Sequence, residues 1–412
     1  MSSNKLKKDI LINLLFYGGM VVLGVLWNVV IIQFYDESVL GVFNQAYAVY
    51  IFLSQIAVGG VHLALQHQIP KYATDKKIVK HLTTSSLILS SATSIMTIVL
   101  SYLLVPVVVI ILNSKEVGKA LNFMLWGLFF FSANKIFLSV WNGLRQMFFF
   151  SLFQFLRIFF IFTIILLFGI LKIDGEYLAS SMSFSEFIIF LMAAYIQRDR
   201  IQLKINRRIR ALIRMQNNFG VKAMVGNVLL DLNTKIDVLS LGVFLEDKVV
   251  GIYSFASTIF EGFSQLAVLF RSNVNPIITK VYFKRNSQLF KRVMNRSLGS
   301  LHKIMFLLGI ASAVFFPVFS YFSGMKYVLE TTIVYVILCL GFVITGRYQI
   351  LLMIFNQLGN PKLQTLLIVA GSLTNLIFNF LMIPFIGIYG AALGTFLSFV
   401  VQSIFIRHYV NI

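Results

Sequence analysis

The sequence contains few acids, few prolines and almost no cysteine. Among its 412 residues are 15 Asp or Glu, 6 Pro and a single Cys. That cysteine, Cys339, lies inside an apolar run, so no disulfide framework is available. No P-loop and no G-x-S-x-G motif occurs, and no Cys, His or acid cluster has metal-ligand spacing. The sequence therefore predicts neither an enzyme, nor a metal centre, nor a bound cofactor.

Charge is scarce as well. Only 12% of the residues are charged, 58% are hydrophobic, and the mean hydropathy is +0.86. A soluble chain of this length needs far more polar surface, which excludes a set of soluble domains. A membrane-spanning helix takes about 20 apolar residues, and the sequence offers twelve such segments. They are 10–34, 42–65, 82–112, 120–142, 148–171, 176–196, 219–244, 250–278, 304–322, 329–355, 363–384 and 387–406. The predicted fold is an all-α integral membrane protein of about twelve transmembrane helices.

Basic residues are concentrated on one side of these predicted spans. Of the 35 Lys and Arg residues, 24 lie on the side of the N-terminus and 5 on the opposite side. The positive-inside rule therefore places both termini in the cytoplasm. Seven basic residues fall in 197–218, a segment that cannot enter hydrocarbon at an acceptable cost. We predict a basic cytoplasmic linker at 197–218 between lobes at 1–196 and 219–412, and no nucleic-acid partner.

The two halves contain related segments. Residues 36–58 read DESVLGVFNQAYAVYIFLSQIAV, and residues 246–268 read EDKVVGIYSFASTIFEGFSQLAV. At an offset of 210, an acidic pair, the glycines Gly41 and Gly251, and a Ser-Gln pair coincide. The offset corresponds to six helices, an even number, so both copies share one orientation. This pattern is typical of a parallel repeat in a transporter and predicts two pseudo-symmetric six-helix lobes.

Several predicted spans carry ionisable residues, which inside a membrane usually face a cavity, a partner or a pathway. The basic candidates are Lys135, Arg157, Lys235, Arg271 and Arg347, and the acidic candidates are Glu186, Asp231 and Glu261. Asp231 and Lys235 lie four residues apart on one helix face, so mutual neutralisation is an alternative to a transport role. For Lys135 and Arg271, snorkelling to the cytoplasmic interface is the alternative. Asp237 lies further toward the outer end.

The sequence resembles the polysaccharide-transport branch of the multidrug/oligosaccharidyl-lipid/polysaccharide (MOP) exporter superfamily, and within it the O-antigen flippases called Wzx. Three places carry the resemblance: 39–43 (VLGVF), 250–254 (VGIYS) with Asn275-Pro276, and the C-terminal part. That last part contains 359–362 (GNPK), Asn375, Asn379 and 383–392 (IPFIGIYGAA).

The resemblance implies a MATE-like arrangement of two lobes and alternating access in a bacterial inner membrane. The implied cargo is an oligosaccharide on a polyprenyl diphosphate, passed from the cytoplasmic to the periplasmic leaflet. Its anionic headgroup would be bound by Arg157, Arg347 and Lys235, with Lys135 and Arg271 as further candidates. Proton or sodium coupling would use Glu186, Asp231 and Glu261. Membrane lipid is a partner, and a polysaccharide polymerase with its chain-length machinery would act next.

Two other functions remain open from the sequence. A multidrug or other lipid exporter of the same superfamily is one, although the first two spans lack the carboxylate that the resemblance to drug exporters implies. A membrane-embedded polysaccharide polymerase or glycosyltransferase is the other. Such enzymes need a substantial loop on the periplasmic side, and the predicted outer loops are only a few residues long.

Overall fold

The computed structural model describes residues 3–202, 206–282 and 287–410. Within that part, the side chains at 3–10, 225–227, 229–233, 269, 272–282, 287–297 and 300–301 are not among those described. The described chain contains fifteen α-helices, three short 3₁₀ turns and no strand, which confirms the predicted all-α class. The helices are α1 (Ser3–Phe34), α2 (Glu37–Val58), α3 (Val61–Gln68), α4 (Lys76–Ile111), α5 (Lys115–Leu125), α6 (Gly127–Gly143), α7 (Met147–Ile170), α8 (Ser180–Ile196), α9 (Arg207–Phe244), α10 (Asp247–Tyr282), α11 (Ser287–Phe322), α12 (Val328–Gln349), α13 (Ile354–Gln357), α14 (Pro361–Ile386) and α15 (Ile388–Val410).

Most of these helices are long and apolar enough to cross a membrane. Among the described residues nine spans satisfy this condition, and the bent pair α5–α6 makes a tenth. The ten coincide with ten of the twelve predicted spans. The other two predictions, 219–244 and 250–278, fall on α9 and α10, which are helical there. Many large apolar side chains on these helices are exposed, as expected of surfaces that face lipid.

Three predicted spans are interrupted rather than continuous. The predicted span 42–65 is divided into α2 and α3 at Gly59-Gly60, where both residues have positive φ (60° and 67°). Glycine adopts this conformation without the steric cost that a Cβ would bring. The predicted span 120–142 bends by 48° between α5 and α6, and 329–355 breaks between α12 and α13. Apolar length alone does not reveal such breaks.

The first compact unit comprises residues 1–35 and 42–232. One buried cluster joins α3, α4 and α6 and includes Leu65, Leu82 and Ile136. A second joins α6, α7 and α8, where the rings of Trp141 and Phe153 lie 4.5 Å apart between centroids. This packing places the polar residues of α6, α7 and α8 on neighbouring helices.

The second compact unit comprises residues 36–41 and 233–412. Within it α10 packs on α11 and α12, and α15 packs on α12 and α14. A Cβ atom on Gly41 would overlap the Asp247 carbonyl, and one on Gly251 would overlap the Glu37 carbonyl. The contact is therefore reciprocal at the offset of 210 read from the sequence. The predicted lobe boundaries at 196 and 219 stay a prediction.

Candidate functional site

A polar cluster lies inside the first unit, where α6, α7 and α8 meet. Arg157 Nε forms an ion pair with Glu186 Oε1. Asn134 Nδ2 donates to Glu186 Oε2 at 2.8 Å and to the Glu186 carbonyl at 2.9 Å. The Glu186 side chain is only 1% exposed, whereas that of Arg157 is 21% exposed. Glu186 is thus a buried carboxylate whose charge Arg157 compensates.

Two cationic side chains of this cluster lie close to the aromatic ring of Phe131. The Arg157 guanidinium lies 4.8 Å from the ring centroid, and Lys135 Nζ lies 5.2 Å from it. Both distances fall within the range of a cation–π interaction. The structure therefore brings together three residues that the sequence predicted separately: Lys135, Arg157 and Glu186.

These residues line a cavity of about 400 Å³, counting its open mouth. Its lining includes Met20, Phe131, Lys135, Gln154, Arg157 and Glu186. Two cations face one carboxylate among the described lining residues, so the cavity carries an excess of positive charge. Such a cavity attracts an anion, and the arginine fork suits a phosphate oxygen pair.

A second polar cluster surrounds Asp237 in the second unit. Tyr253 and Thr395 donate their hydroxyl hydrogens to Asp237 Oδ2 at 2.7 and 2.6 Å. Asn375 and Asn379 donate through Nδ2 to Asp237 Oδ1 at 2.7 and 2.9 Å. These donors come from α10, α15 and α14, while Asp237 itself lies on α9. All four donors are neutral, and no salt bridge to Asp237 occurs among the described side chains.

The Asp237 cluster has the ligands of a hard cation. The amide oxygens of Asn375 and Asn379 are buried and have no hydrogen-bond partner among the described residues. The oxygen and nitrogen of an amide can be exchanged by rotating the group, which would turn both oxygens toward Asp237. Carboxylate, amide and hydroxyl oxygens together suit Na⁺ or a similar ion, and the carboxylate alone accepts a proton. Within the described chain no group of three His, Cys, Asp or Glu offers a transition-metal site.

The other predicted residues of the second unit have specific partners. Lys235 Nζ pairs with Glu261 Oε1 at 2.8 Å, with side-chain exposures of 17% and 44%. The side chain of Asp231 lies outside the described residues, so its predicted relation to Lys235 is untested. Arg271 Nη2 donates to the Gln349 carbonyl at 2.9 Å, at the end of α12. The negative end of the α12 dipole stabilises the positive charge of Arg271 there.

Arg347 lies on the last turn of α12 and is half-buried. The predicted substrate-binding residues thus divide between the two units, and each unit is described by itself. Sequence reasoning noted Asp237, Asn375 and Asn379 but did not connect them, and it missed Thr395. The one local signal was the spacing of four between Asn375 and Asn379, which places two amides on one face of a span.

Comparisons with known proteins support a transporter fold. A family model described as "Polysaccharide biosynthesis protein" matches residues 6–290. No functionally curated protein matches the sequence. The structure of a lipid II flippase, MurJ, in an inward closed conformation is similar with a TM-score of 0.77 and 16% identity. The match covers 97% of this chain and 88% of that one.

Two further structures share the fold. An inward-facing multidrug resistance MATE transporter of the MOP superfamily matches with a TM-score of 0.74 and 15% identity, over 95% of this chain and 94% of that one. A MOP superfamily transporter from Pyrococcus furiosus matches with a TM-score of 0.55 and 14% identity, over 99% and 95% of the two chains. At sequence identities this low, the similarity shows a shared fold and nothing further.

Proposed function

Because the chain belongs to the polysaccharide biosynthesis protein family and has a multi-pass transporter fold, we propose that it is a flippase for a polyprenyl-diphosphate-linked oligosaccharide. Family and fold confirm the place in the MOP exporter superfamily predicted from the sequence. The proposed cargo is the repeat unit of an O-antigen or another surface polysaccharide, as for the Wzx flippases that the sequence resembles. It passes from the cytoplasmic to the periplasmic leaflet of the bacterial inner membrane.

The observation that carries this proposal is the excess of cations in the cavity of the first unit. A diphosphate with attached sugars is anionic and strongly polar, so its transfer through hydrocarbon is prohibitively costly without protein groups to replace water. Arg157 and Lys135 supply such groups, and Phe131 holds both of them in place. The polyprenyl chain needs no protein cavity, because it is soluble in the bilayer.

We assign the coupling ion to the Asp237 cluster rather than to Glu186 or Glu261; the third predicted acid, Asp231, stays a prediction because its side chain lies outside the described residues. Glu186 and Glu261 already hold Arg157 and Lys235 in ion pairs. Asp237 has only neutral donors around it among the described residues, so a sodium ion or a proton supplies the missing positive charge. Asp237 is half-buried, and a carboxylate that is partly removed from water without a cation nearby is unfavourable, which favours binding of an ion there.

The alternative within the same fold is export of a drug or another lipid. An organic cation would be repelled by the excess positive charge beside Phe131, whereas an anionic headgroup is attracted. A polymerase or glycosyltransferase has no support from the family or from the neighbouring folds, which are those of transporters.

Two experiments test the proposal. In a strain that lacks this chain, lipid-linked repeat units should accumulate unpolymerised on the cytoplasmic leaflet, whereas single units on the outer leaflet would favour a polymerase. In proteoliposomes, the purified protein should move a fluorescent polyprenyl-diphosphate oligosaccharide between leaflets when a sodium or proton gradient is imposed. Failure to move this substrate, together with gradient-driven movement of an organic cation, would favour the drug exporter.

A further inference from the structure

The first turns of α9 form an amphipathic segment that belongs to the first unit. Its exposed arginines at 207, 210 and 214 recur every three or four residues and therefore lie on one side of the helix, the basic face. Arg208 is exposed beside them. No salt bridge to these arginines occurs among the described residues. The basic face is thus a surface of uncompensated positive charge.

The opposite side of this segment is firmly held in the protein. Ile209 is fully buried, and Leu212 packs on the cluster of α3, α4 and α6. Gln216 is buried and hydrogen-bonded on three sides: Ser85 Oγ donates to its Oε1 at 2.9 Å, and its Nε2 donates to Gln68 Oε1 and to the Leu82 carbonyl, both at 3.3 Å. This anchoring fixes the direction in which the arginines point.

Exposed lysines extend the same basic surface. Asn206 Nδ2 lies 3.4 Å from His81 Nε2, which places the start of α9 beside the start of α4. There Lys71, Lys76 and Lys77 are exposed. One nearby acid, Asp75, is engaged as the N-cap of α4, where it accepts from the backbone of Lys77 and Ile78 at 2.9 and 3.0 Å. The backbone N–H groups at the start of α4 therefore partly compensate the negative charge of Asp75.

We propose that the basic face binds the headgroups of anionic phospholipids in the leaflet that surrounds the protein. The same helix continues into the predicted span 219–244, and its 38 residues extend about 57 Å, well beyond the roughly 30 Å of a bilayer core. The arginines therefore lie next to the point where the helix enters the membrane. Met215 and Phe219, 46% and 41% exposed, add apolar contact at this depth. Basic clusters immediately beside a span attract anionic headgroups.

A binding measurement on the purified full-length protein in neutral detergent tests this proposal without requiring transport. The probes are fluorescent phosphatidylglycerol and fluorescent phosphatidylcholine. The wild-type protein should prefer phosphatidylglycerol by about tenfold, and the preference should decline as salt is raised. The variant R207Q/R210Q/R214Q should lose most of the preference. The control K115Q/K172Q/K326Q removes three exposed charges elsewhere and should keep it.

Several outcomes would overturn the proposal. They are equal binding of both lipids by the wild type, an unchanged preference in the arginine variant, and an equal loss in the control, which would indicate a response to net charge alone. If polyprenyl diphosphate binds through the arginines but phosphatidylglycerol does not, the surface serves the cargo instead. The charge-reversal variant R210E is a second test that leaves the other arginines in place, and thermal unfolding verifies that each variant is folded. Because no transport is measured, failure here leaves the proposed flippase function unaffected, and the reverse also holds.

Discussion

Asn375 donates a hydrogen bond of 2.7 Å to Oδ1 of Asp237, although the two residues lie 138 positions apart. The bond joins α14 to α9 within the second unit. The Asp237 carboxylate is thus surrounded by four neutral donors, because Asn379, Thr395 and Tyr253 donate to it as well. The charge of Asp237 is therefore solvated by dipoles, and the simplest addition that would stabilise the cluster is a cation.

Sodium should stabilise the wild-type protein through Asp237. When sodium replaces choline at constant ionic strength, the midpoint of thermal unfolding should rise. A ligand at one hundred times its Kd contributes about 2.7 kcal/mol. The variant D237N keeps the size of the side chain but removes the charge, so the sodium-dependent rise should disappear.

E261Q is the matched control for that measurement. It removes another carboxylate of the second unit, one that pairs with Lys235 at 2.8 Å. We expect its unfolding midpoint to be lower than that of the wild type in both salts but still to rise in sodium. A sodium response that survives in D237N would contradict the assignment. A midpoint that depends on pH but not on sodium, and loses this dependence in D237N, would identify the proton as the ligand.

Removing Arg157 should cost stability as well as transport. In R157A the Glu186 carboxylate, 1% exposed, is left without its ion-pair partner, and breaking a buried pair in this way costs about 3–5 kcal/mol. The double variant R157M/E186Q removes both charges and should recover much of the unfolding midpoint. Surface polysaccharide should nevertheless stay low in the double variant, because the cavity has lost a cation that binds the headgroup. Normal export by R157M/E186Q would mean that Arg157 has only a structural task.

Arg347 offers a test in the second unit. R347A should reduce surface polysaccharide several-fold while the protein remains in the membrane, and R347K should restore part of it, since lysine keeps the charge but not the planar fork. Lys362, exposed at the start of α14, is the control position, and K362A should export normally. Immunoblots of membrane fractions separate loss of transport from loss of protein. Full export by R347A would remove Arg347 from the binding residues.

The sequence predicted the helices well because a sufficiently long apolar segment is stable in a bilayer as a helix. It predicted partners poorly because pairing depends on packing between distant helices. Lys235 is one example: its spacing offered Asp231 on the same helix face, a relation that stays untested, but no spacing indicated its pair with Glu261 on the next helix. Asp237 is another, since three of its four donors lie more than 130 residues away. No local periodicity carries that information.

The sequence predicted which two glycines of the repeat correspond, but not that they lie at a contact between two helices. The offset of 210 showed that Gly41 and Gly251 correspond, yet only the structure shows that the helix segments beginning at Glu37 and Asp247 touch each other there. Backbone atoms meet at this point without side chains between them. Corresponding positions of a repeat that contact each other reciprocally are expected to be equally sensitive.

Alanine at either glycine should therefore destabilise the protein strongly and to a similar degree. The added Cβ would overlap a carbonyl of the opposing helix, the Asp247 carbonyl for G41A and the Glu37 carbonyl for G251A. A backbone carbonyl cannot rotate aside as a side chain can, so the helices must separate, and overpacking of this kind costs about 1–3 kcal/mol or more. G24A is the control, because a Cβ on Gly24 has no atom within 4 Å outside its own local helix and should leave the unfolding midpoint almost unchanged. Thermal unfolding of the three purified variants measures the difference. If G41A or G251A unfolds at the wild-type temperature, the two backbones do not approach as closely as described.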